Sequence, residues 1–408
     1  MANQLQLAFV NFSKNSYIVI EGKQNADRFF IIQQGKVRIS KEVEVVVEEK
    51  GNVLGPGDFF GVVSTMSSHS HIETAQAITD VKLISVQKDQ YSQMIQNNAS
   101  VARKLILEFS KRLRYLDEAL SRITLKSTAE NDSSQLFKVA EYYARQSQYN
   151  QAYYAYRQYL KYCPRGENVN TARDRMMKIA PYARSVKVDY KTEELNRSYA
   201  QNCMLFSEGE PGDELFIIQK GSVKITKIVN NNEVLLAVLK TGDIFGEMAL
   251  LESKPRAASA VAYEDCSVLA VNQANFDRMI NTQPQMIARL TTLLAERIWF
   301  IYKQLANTLI SDPQGRIWDA LLMQLEKNRV NITSASYTFD FGPKELINMV
   351  GLPQEDGKFI LNKVRENKKI QVVKDKIHVL DCTEIIKQAE FYKKMQKIEK
   401  QRRESSQW

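Results

Sequence analysis

The sequence contains few of the residues that build metal centres and disulfide frameworks. Its four cysteines stand singly, at Cys163, Cys203, Cys266 and Cys382. Cysteines scattered in this way form no disulfide framework, no paired metal-ligand motif and no iron–sulfur spacing. The three histidines are similarly dispersed. We therefore expect no metal site, and we expect a reducing compartment, the cytoplasm, for this chain.

Three further absences narrow the class of protein. No apolar run approaches the roughly 18 residues that suggest a membrane-spanning helix. The first residues lack the basic start and apolar stretch of a signal peptide. The chain has no Walker loop, no nucleophile elbow and no metal constellation, so we assign no catalytic residue and expect no enzyme. The 408 residues carry a net charge of +9, which permits nucleic-acid binding.

The most informative segment is 245–260, which reads FGEMALLESKPRAASA. A short helix beginning at Gly246 would direct unpaired backbone N–H groups at an anion. Arg256 can bind a phosphate through two parallel hydrogen bonds, and Glu247 can accept hydrogen bonds from a ribose hydroxyl. A cyclic nucleotide offers the matching groups: one singly charged phosphate, one free 2′-hydroxyl and one base.

Segment 245–260 resembles the phosphate-binding cassette of cyclic-nucleotide-binding domains, and 205–225 resembles the glycine-punctuated β-roll of that family. Ala257 favours cAMP over cGMP, because cGMP-selective relatives often carry a hydroxyl residue there. The alternative is a β-roll that has kept its shape and lost its ligand. The resemblance implies a cyclic nucleotide as ligand, held by Gly246, Glu247, Met248, Ala249, Arg256, Ala257 and Ala258.

The first 90 residues repeat the pattern of 200–280, but their cassette, 60–77, is altered. In an alignment without gaps, Val62 falls opposite Glu247 and His71 falls opposite Arg256. Valine cannot bind a ribose hydroxyl, and a neutral imidazole lacks the guanidinium fork. We expect a domain used for packing that binds no cyclic nucleotide. The alternative is a changed ligand, with His69 and His71 as polar contacts.

A helical insert separates the repeats. Residues 133–166 resemble one tetratricopeptide unit, and 126–134 read as a linker. Because about three such units are needed to bury a common core, a single unit must pack on a neighbouring domain, a second subunit or a partner. The insert is therefore either a rigid spacer or a docking surface for a protein partner. The docking surface would expose four tyrosines, Tyr142, Tyr149, Tyr153 and Tyr154.

Each repeat is followed by a long amphipathic helix, near 99–123 and 284–310. In the second helix, apolar residues recur every three or four positions from Leu290 to Leu309, which draws one apolar stripe. Its resemblance to the same helix of the Crp–Fnr regulators implies a homodimer through 284–310. It also implies that Ile301 and Tyr302 meet the base of the bound nucleotide. The alternative for the stripe is packing within one chain.

After Asp312 and Pro313 the pattern is a helix at 315–328, a strand and a second helix with a proline start within 337–351, a turn and a third helix within 352–367, and a hairpin at 368–381. This order resembles the winged helix-turn-helix of the Crp–Fnr regulators, which implies DNA binding through the third helix. Glu355 and Asp356 oppose contact with a polyanion. A basic tail follows, either gripping phosphates or fraying in solvent. The residues expected to contact DNA are Gln354, Lys358, Asn362 and Lys363.

Together these features predict an α+β multidomain chain. We expect a cytoplasmic, dimeric transcription regulator that responds to a cyclic nucleotide, cAMP in the first instance, and binds DNA without contacting a membrane. The alternative is a cyclic-nucleotide-sensing interaction protein that does not recognise DNA sequence. The predicted domains are two β-roll (jelly-roll-like) domains at 1–125 and 186–310, a helical insert at 126–185, a winged helix-turn-helix at 311–385 and a tail at 386–408.

Overall fold

The chain forms two compact units in the computed structural model. Unit 1 comprises Met1–Asp89, Tyr115–Lys126 and Ala295–Trp408, and unit 2 comprises Gln90–Arg114 and Ser127–Leu294. Most of the predicted linker at 126–134 and the predicted boundary at 185/186 lie outside the described residues. The structure describes 7–24, 26–41, 51–125, 133–183, 194–229, 231–331 and 335–405.

The first β-roll lies in unit 1 and consists of two four-stranded antiparallel sheets, ordered β1-β8-β3-β6 and β2-β7-β4-β5. Alternating apolar side chains from both sheets, such as Phe30, Ile32, Ala75 and Leu83, meet in one core. A short helix α1, Val62–Ser67, follows β6. The strands are β1 Ala8–Phe12, β2 Tyr17–Val19, β3 Arg28–Gln34, β4 Val37–Ser40, β5 Val53–Leu54, β6 Phe59–Phe60, β7 Thr74–Ala77 and β8 Val81–Gln87.

The second β-roll lies in unit 2 and repeats the plan, with sheets ordered β14-β11-β16-β9 and β10-β15-β12-β13. Helix α7, Glu247–Glu252, follows β14 as α1 follows β6. The prediction of two β-rolls is therefore confirmed. Its strands are β9 Asn196–Tyr199, β10 Met204–Phe206, β11 Glu214–Lys220, β12 Ser222–Val229, β13 Asn232–Lys240, β14 Ile244–Phe245, β15 Ser259–Ala262 and β16 Cys266–Asn272.

The insert is helical, as predicted, and it packs on the second β-roll. Its helices are α4 Gln135–Arg145, α5 Tyr149–Tyr162 and α6 Val169–Ile179, with a 3₁₀ turn at Ala180–Tyr182. Its buried side chains share one core with Met204, Ile228 and Val261 of the β-roll. Within unit 2, the second β-roll therefore covers the apolar face of the insert. The tetratricopeptide assignment itself stays a prediction.

The tyrosines of the insert do not form the exposed surface that the docking alternative required. Tyr154 is 5% exposed, and its hydroxyl donates to Leu205 O at 3.1 Å. The Tyr142 hydroxyl accepts from Glu233 N at 3.1 Å. Tyr149 and Tyr153 are half-buried. The alternative of an exposed tyrosine surface was therefore wrong for Tyr154, which packs on the second β-roll, while the Tyr149 ring lies 5.3 Å from the Tyr182 ring.

A long helix follows each β-roll, after a short helix α2, Tyr91–Asn97, or α8, Gln273–Thr282. These are α3, Ala99–Leu125, and α9, Pro284–Thr308. The α9 stripe is buried within the single chain: Leu290, Leu294, Ile298 and Leu305 are at most 1% exposed. Leu309, the last residue of the stripe, is 43% exposed. The homodimer through 284–310 stays a prediction.

The C-terminal part of unit 1 packs its helices on a three-stranded sheet ordered β17-β19-β18. Trp318, Phe339 and Leu346 are among the buried residues of its core. The predicted hairpin is present, and Lys374 and Asp375 at its turn both have positive φ, as a tight hairpin turn requires. The elements are α10 Pro313–Lys327, β17 Tyr337–Thr338, α11 Pro343–Met349, α12 Gln354–Arg365, β18 Ile370–Val373, β19 Lys376–Val379 and α13 Cys382–Ser405.

Candidate functional site

The cassette of the second β-roll (the second cassette, 245–260) closes around Arg256. Gly246 begins α7 with φ +78°, a left-handed conformation that glycine adopts without steric cost. Arg256 N donates to Glu210 O at 2.8 Å, and Gly209 N donates to Arg256 O at 2.9 Å. The hydrogen bonds of its own N–H and C=O groups therefore fix the backbone position from which the Arg256 side chain extends.

The Arg256 guanidinium is 5% exposed and packs on aromatic rings and glycine backbone. Its Nη1 donates to Gly246 O at 2.6 Å, and its Cζ lies 4.2 Å from the Phe206 ring centroid. A Cβ on Gly212 would clash with Nε and Cζ, so a side chain there would displace the guanidinium. Among the described residues, Nε has no hydrogen-bond partner. Burial lowers the pKa of Arg256, and an anion beside it would oppose that shift.

The other predicted ligand contacts lie around this guanidinium. Glu247, Met248 and Ala249 are the first residues of α7 and are buried, with Glu247 only 1% exposed. Ala257 and Ala258 are half-buried and directly precede β15. All seven predicted residues of the second cassette thus lie between the N-cap of α7 and the start of β15.

Glu210 belongs to this site although it is not among the residues predicted from the sequence. Its carboxylate accepts from Ser207 N at 2.9 Å and from the Tyr154 hydroxyl at 3.1 Å. Burial raises the pKa of Glu210 to about 7, and the Arg256 charge is among the influences that oppose the shift. The glycine-punctuated segment 205–225 could have marked Glu210, because it lies between Gly209 and Gly212. Nothing in the sequence indicates Tyr154 as its partner.

The cassette of the first β-roll (the first cassette, 60–77) has the same backbone and different chemistry. Gly61 begins α1 with φ +77°, as Gly246 does in the second copy. Gly61 N donates to Glu73 Oε1 at 2.9 Å, so a carboxylate of the chain itself holds an amide at the start of the helix. Val62 is buried, and among the described residues His71 Nδ1 has no hydrogen-bond partner. Burial lowers the pKa of His71, which keeps its ring neutral.

Comparison with known proteins identifies both β-rolls. Residues 9–98 and 196–283 each match the family described as "Cyclic nucleotide-binding domain". The chain contains two cyclic nucleotide-binding domains. The matched segments comprise most of each β-roll, both cassettes and the short helices α2 and α8.

Curated relatives of this chain are named as a transcriptional regulator and as a cyclic AMP receptor. The "CRP-like cAMP-activated global transcriptional regulator" of Mycobacterium tuberculosis is 29% identical over 37% of this chain and 68% of its own length. The "Cyclic AMP receptor protein" of Thermus thermophilus is 33% identical over 32% of this chain and 61% of its own length. The chain therefore spans about two thirds of the length of these relatives.

Among solved structures, the catabolite activator protein of Thermus thermophilus is 26% identical and aligns with 48% of this chain and 90% of its own. The TM-score of that alignment is 0.28. Such a score does not establish a common overall arrangement.

Within unit 1, the first cyclic nucleotide-binding domain holds part of α9. The His69 and Trp299 rings stack with centroids 4.0 Å apart, and Trp299 Nε1 donates to Ser70 O at 3.1 Å. Arg329, which follows α10, has its Nη2 2.8 Å from Glu296 Oε1 and 3.4 Å from Ser67 O. The altered cassette therefore serves as a packing surface for α9 and for the segment after α10.

Ile301 and Tyr302, predicted to meet the base, are buried and belong to unit 1. Lys41 Nζ lies 5.5 Å from the Tyr302 ring centroid. Within unit 2, the long helix that contacts the second cassette is α3, through Ser110 and Arg114. The prediction that Ile301 and Tyr302 meet the base of the nucleotide stays a prediction.

The predicted DNA contacts lie on α12. Lys358, Asn362 and Lys363 are exposed, and so are Glu355 and Asp356; the Gln354 side chain lies outside the described ones. Lys363 Nζ lies 4.7 Å from the ring centroid of Phe359, which is 61% exposed. The exposed surface of α12 thus mixes basic, acidic and aromatic groups.

The described ranges contain neither a metal-binding cluster nor a membrane-spanning helix. No cluster of three or more histidine, cysteine, aspartate or glutamate side chains could hold a metal ion there. None of the described helices is long and apolar enough to cross a membrane.

Proposed function

We propose that this chain is a cAMP-responsive transcription regulator whose second cyclic nucleotide-binding domain binds the nucleotide. One observation carries the proposal: Arg256 is buried in a matched domain with its Nη1 on Gly246 O, and its Nε is unpartnered among the described residues. A cyclic phosphate would supply the missing acceptor and charge. The N–H groups of Gly246 to Ala249 and of Ala258 would complete the anion site, and Glu247 would bind the ribose hydroxyl.

The small residue at position 257 supports cAMP over cGMP. Calorimetric titration of the intact chain with each nucleotide tests this preference. Arg256→Ala is expected to weaken cAMP binding by about 2–4 kcal/mol, because a buried phosphate would lose its charged partner. The matched control is His71→Ala at the equivalent position of the first domain, which should bind as the wild type does. Equal binding by the wild type and Arg256→Ala would remove this arginine from the function.

We further propose that 311–385 forms a winged helix-turn-helix and that α12 contacts DNA through Gln354, Lys358, Asn362 and Lys363. Support comes from the order of helices and hairpin and from the exposure of Lys358, Asn362 and Lys363. Basic side chains on an exposed helix face can meet phosphates, while an amide such as that of Asn362 can bind a base edge.

Fluorescence anisotropy with duplexes selected from a genomic library, at several salt concentrations and with and without cAMP, tests this part. Lys358→Gln should lower affinity and reduce the salt slope by about one unit. Lys240→Gln, on an exposed lysine of β13, is the control of equal charge change. Binding that neither cAMP nor Lys358→Gln alters would contradict the proposal.

The exposed pair Glu355 and Asp356 at the start of α12 favours a second candidate. Two carboxylates repel a polyanion, so the chain would then be a nucleotide-responsive interaction protein. Salt-sensitive binding without any sequence preference would support that alternative. We keep the predicted homodimer through 284–310 as part of either proposal.

A further inference from the structure

Helix α3 follows the first repeat, yet it carries a buried ion pair with the second cassette. Ser110 Oγ donates to Glu252 Oε1 at 2.8 Å, and Arg114 Nε donates to Glu252 Oε2 at 3.0 Å. Arg114 Nη1 also donates to Pro255 O at 3.2 Å. The Arg114 and Glu252 side chains are 5% and 2% exposed. All four residues belong to unit 2, so this is a contact within one compact body.

An equivalent contact exists in unit 1 with the repeats exchanged. Trp299 of α9, which follows the second repeat, donates from Nε1 to Ser70 O in the first cassette. The repeats align without a gap from Phe60 and Phe245 to the ends of both long helices. In that alignment Trp299 falls opposite Arg114, and Ser70 falls opposite Pro255. The same helix position in each repeat therefore donates to the same carbonyl position of the other repeat's cassette.

We propose that the two repeats form a reciprocal pair in which each cassette is contacted by the other repeat's long helix, and that Arg114 couples nucleotide binding at the second cassette to α3. This rests on the proposed cAMP site at Arg256. Arg114 is a positioning residue: it holds Glu252 at the end of α7 and the carbonyl of Pro255, the residue directly before Arg256.

Burial makes this coupling strong. Breaking one partner out of a buried ion pair leaves an uncompensated charge, so a shift of 252–256 must carry α3 with it or lose the pair. Among the described residues, Arg114 Nη2 has no hydrogen-bond partner. The guanidinium therefore keeps one donor group for a further acceptor in the second cassette. Trp299 has one donor and no charge, so the first cassette has no equivalent of this ion pair.

The test uses the full chain and measures cAMP affinity by calorimetry and hydrogen exchange of 99–114 with and without cAMP. Arg114→Met should weaken binding by about tenfold, because the cassette is no longer held ready for the ligand. It should also abolish the change in α3 exchange that cAMP produces in the wild type. Arg114→Lys, which keeps the charge and loses the fork, should be intermediate. Arg122→Met, on the exposed end of the same helix, should match the wild type.

A double variant, Arg114→Met with Glu252→Gln, removes both charges, so that the buried Glu252 carboxylate is not left with only the exposed Lys254, 3.6 Å away, as its ionic partner. It should also show no cAMP-dependent change in α3. If the wild type binds cAMP while the variants keep its affinity and its α3 response, the coupling is overturned and the Arg256 site stands. If the wild type binds neither cAMP nor cGMP, the proposed function fails and this coupling fails with it.

Discussion

The two cyclic nucleotide-binding domains share one backbone and differ at the positions that surround a single side chain. In the second, Arg256 lies against Phe206 and over Gly212. In the first, histidine stands at the arginine position, Val19 replaces Phe206 and Ala26 replaces Gly212. Because the first domain has no guanidinium at this position, it requires neither an aromatic ring for stacking nor a glycine beside the guanidinium. The comparison indicates that these positions form one arginine-holding set.

The anion position differs as well. Glu73 of the first cassette places a carboxylate on Gly61 N, whereas the second cassette has Ala258 at the same alignment position. A carboxylate accepts the hydrogen bond that a ligand phosphate would accept, and its charge repels a phosphate. In the first domain the Glu73 side chain thus occupies a position at which the second domain has only small residues.

The largest expected effect comes from moving that carboxylate into the second domain. Ala258→Glu should weaken cAMP binding by at least ~100-fold, about 3 kcal/mol, because it puts a negative charge where the phosphate is expected. Calorimetry on the intact chain measures the loss. Ala258→Gln, of equal size and no charge, should weaken binding less; an equal loss in both variants would show that bulk, not charge, is responsible.

The next prediction tests whether position 212 must be glycine for Arg256 to keep its place. Gly212→Ala should displace the Arg256 guanidinium and weaken cAMP binding by roughly 30-fold, about 2 kcal/mol, although it changes no charge. The reverse substitution in the first domain, Ala26→Gly, should leave nucleotide binding unchanged. Titration of both variants beside the wild type decides the matter. Unchanged binding by Gly212→Ala would mean that Arg256 reaches the ligand from another position.

Sequence periodicity predicted the elements well because each has a local signature. Strand alternation between glycine turns predicted both β-rolls, and the turn at Lys374 and Asp375 fixed the hairpin of the C-terminal part. Arg256 and Glu247 could be selected because their chemistry and spacing match a ligand. Local sequence therefore carries the strands, the helices and the residues that we propose as contacts of the nucleotide.

The pairing of helices with cassettes could not be predicted from the sequence. An apolar stripe indicates that one face of a helix is buried, but it does not indicate which element covers that face. Arg114 and Trp299 therefore gave no signal until the structure placed them beside Pro255 and Ser70. The link between Tyr154 and Glu210 is equally non-local, since the two residues meet only when the insert packs on the second β-roll.

The two domains should respond in opposite ways to acid. Burial raises the pKa of Glu210 from 4.5 to about 7, so the folded second domain holds a proton that the unfolded chain releases between these values. Acidification through that window stabilises it. Burial, together with Arg329, Lys303 and Lys88, lowers the pKa of His69 from 6.5 to about 4. Between these two pKa values the unfolded chain binds a proton at His69 that the folded domain does not bind, so acidification from pH 6.5 towards 4 destabilises the first domain.

Hydrogen exchange resolved by domain, compared at pH 6.5 and 4.5 after correction for intrinsic rates, measures both responses. Each is expected to be on the order of 1–2 kcal/mol. Glu210→Gln should reduce the gain in the second domain and leave part of it, because burial also raises the pKa of Glu208 to about 7. His69→Gln should reduce the loss in the first domain. Parallel responses in the two domains would contradict the contrast.

The smallest effect concerns the carboxylate that occupies the first cassette. Glu73→Gln keeps an acceptor oxygen for Gly61 N and loses the charge, so it should lower the free energy of unfolding of the first domain by about 1 kcal/mol. Denaturant unfolding followed by hydrogen exchange measures this. Nucleotide stoichiometry should stay at that of the wild type, because His71 still supplies no guanidinium. A second bound nucleotide in Glu73→Gln would show that this charge, rather than the missing arginine, keeps the first domain from binding ligand.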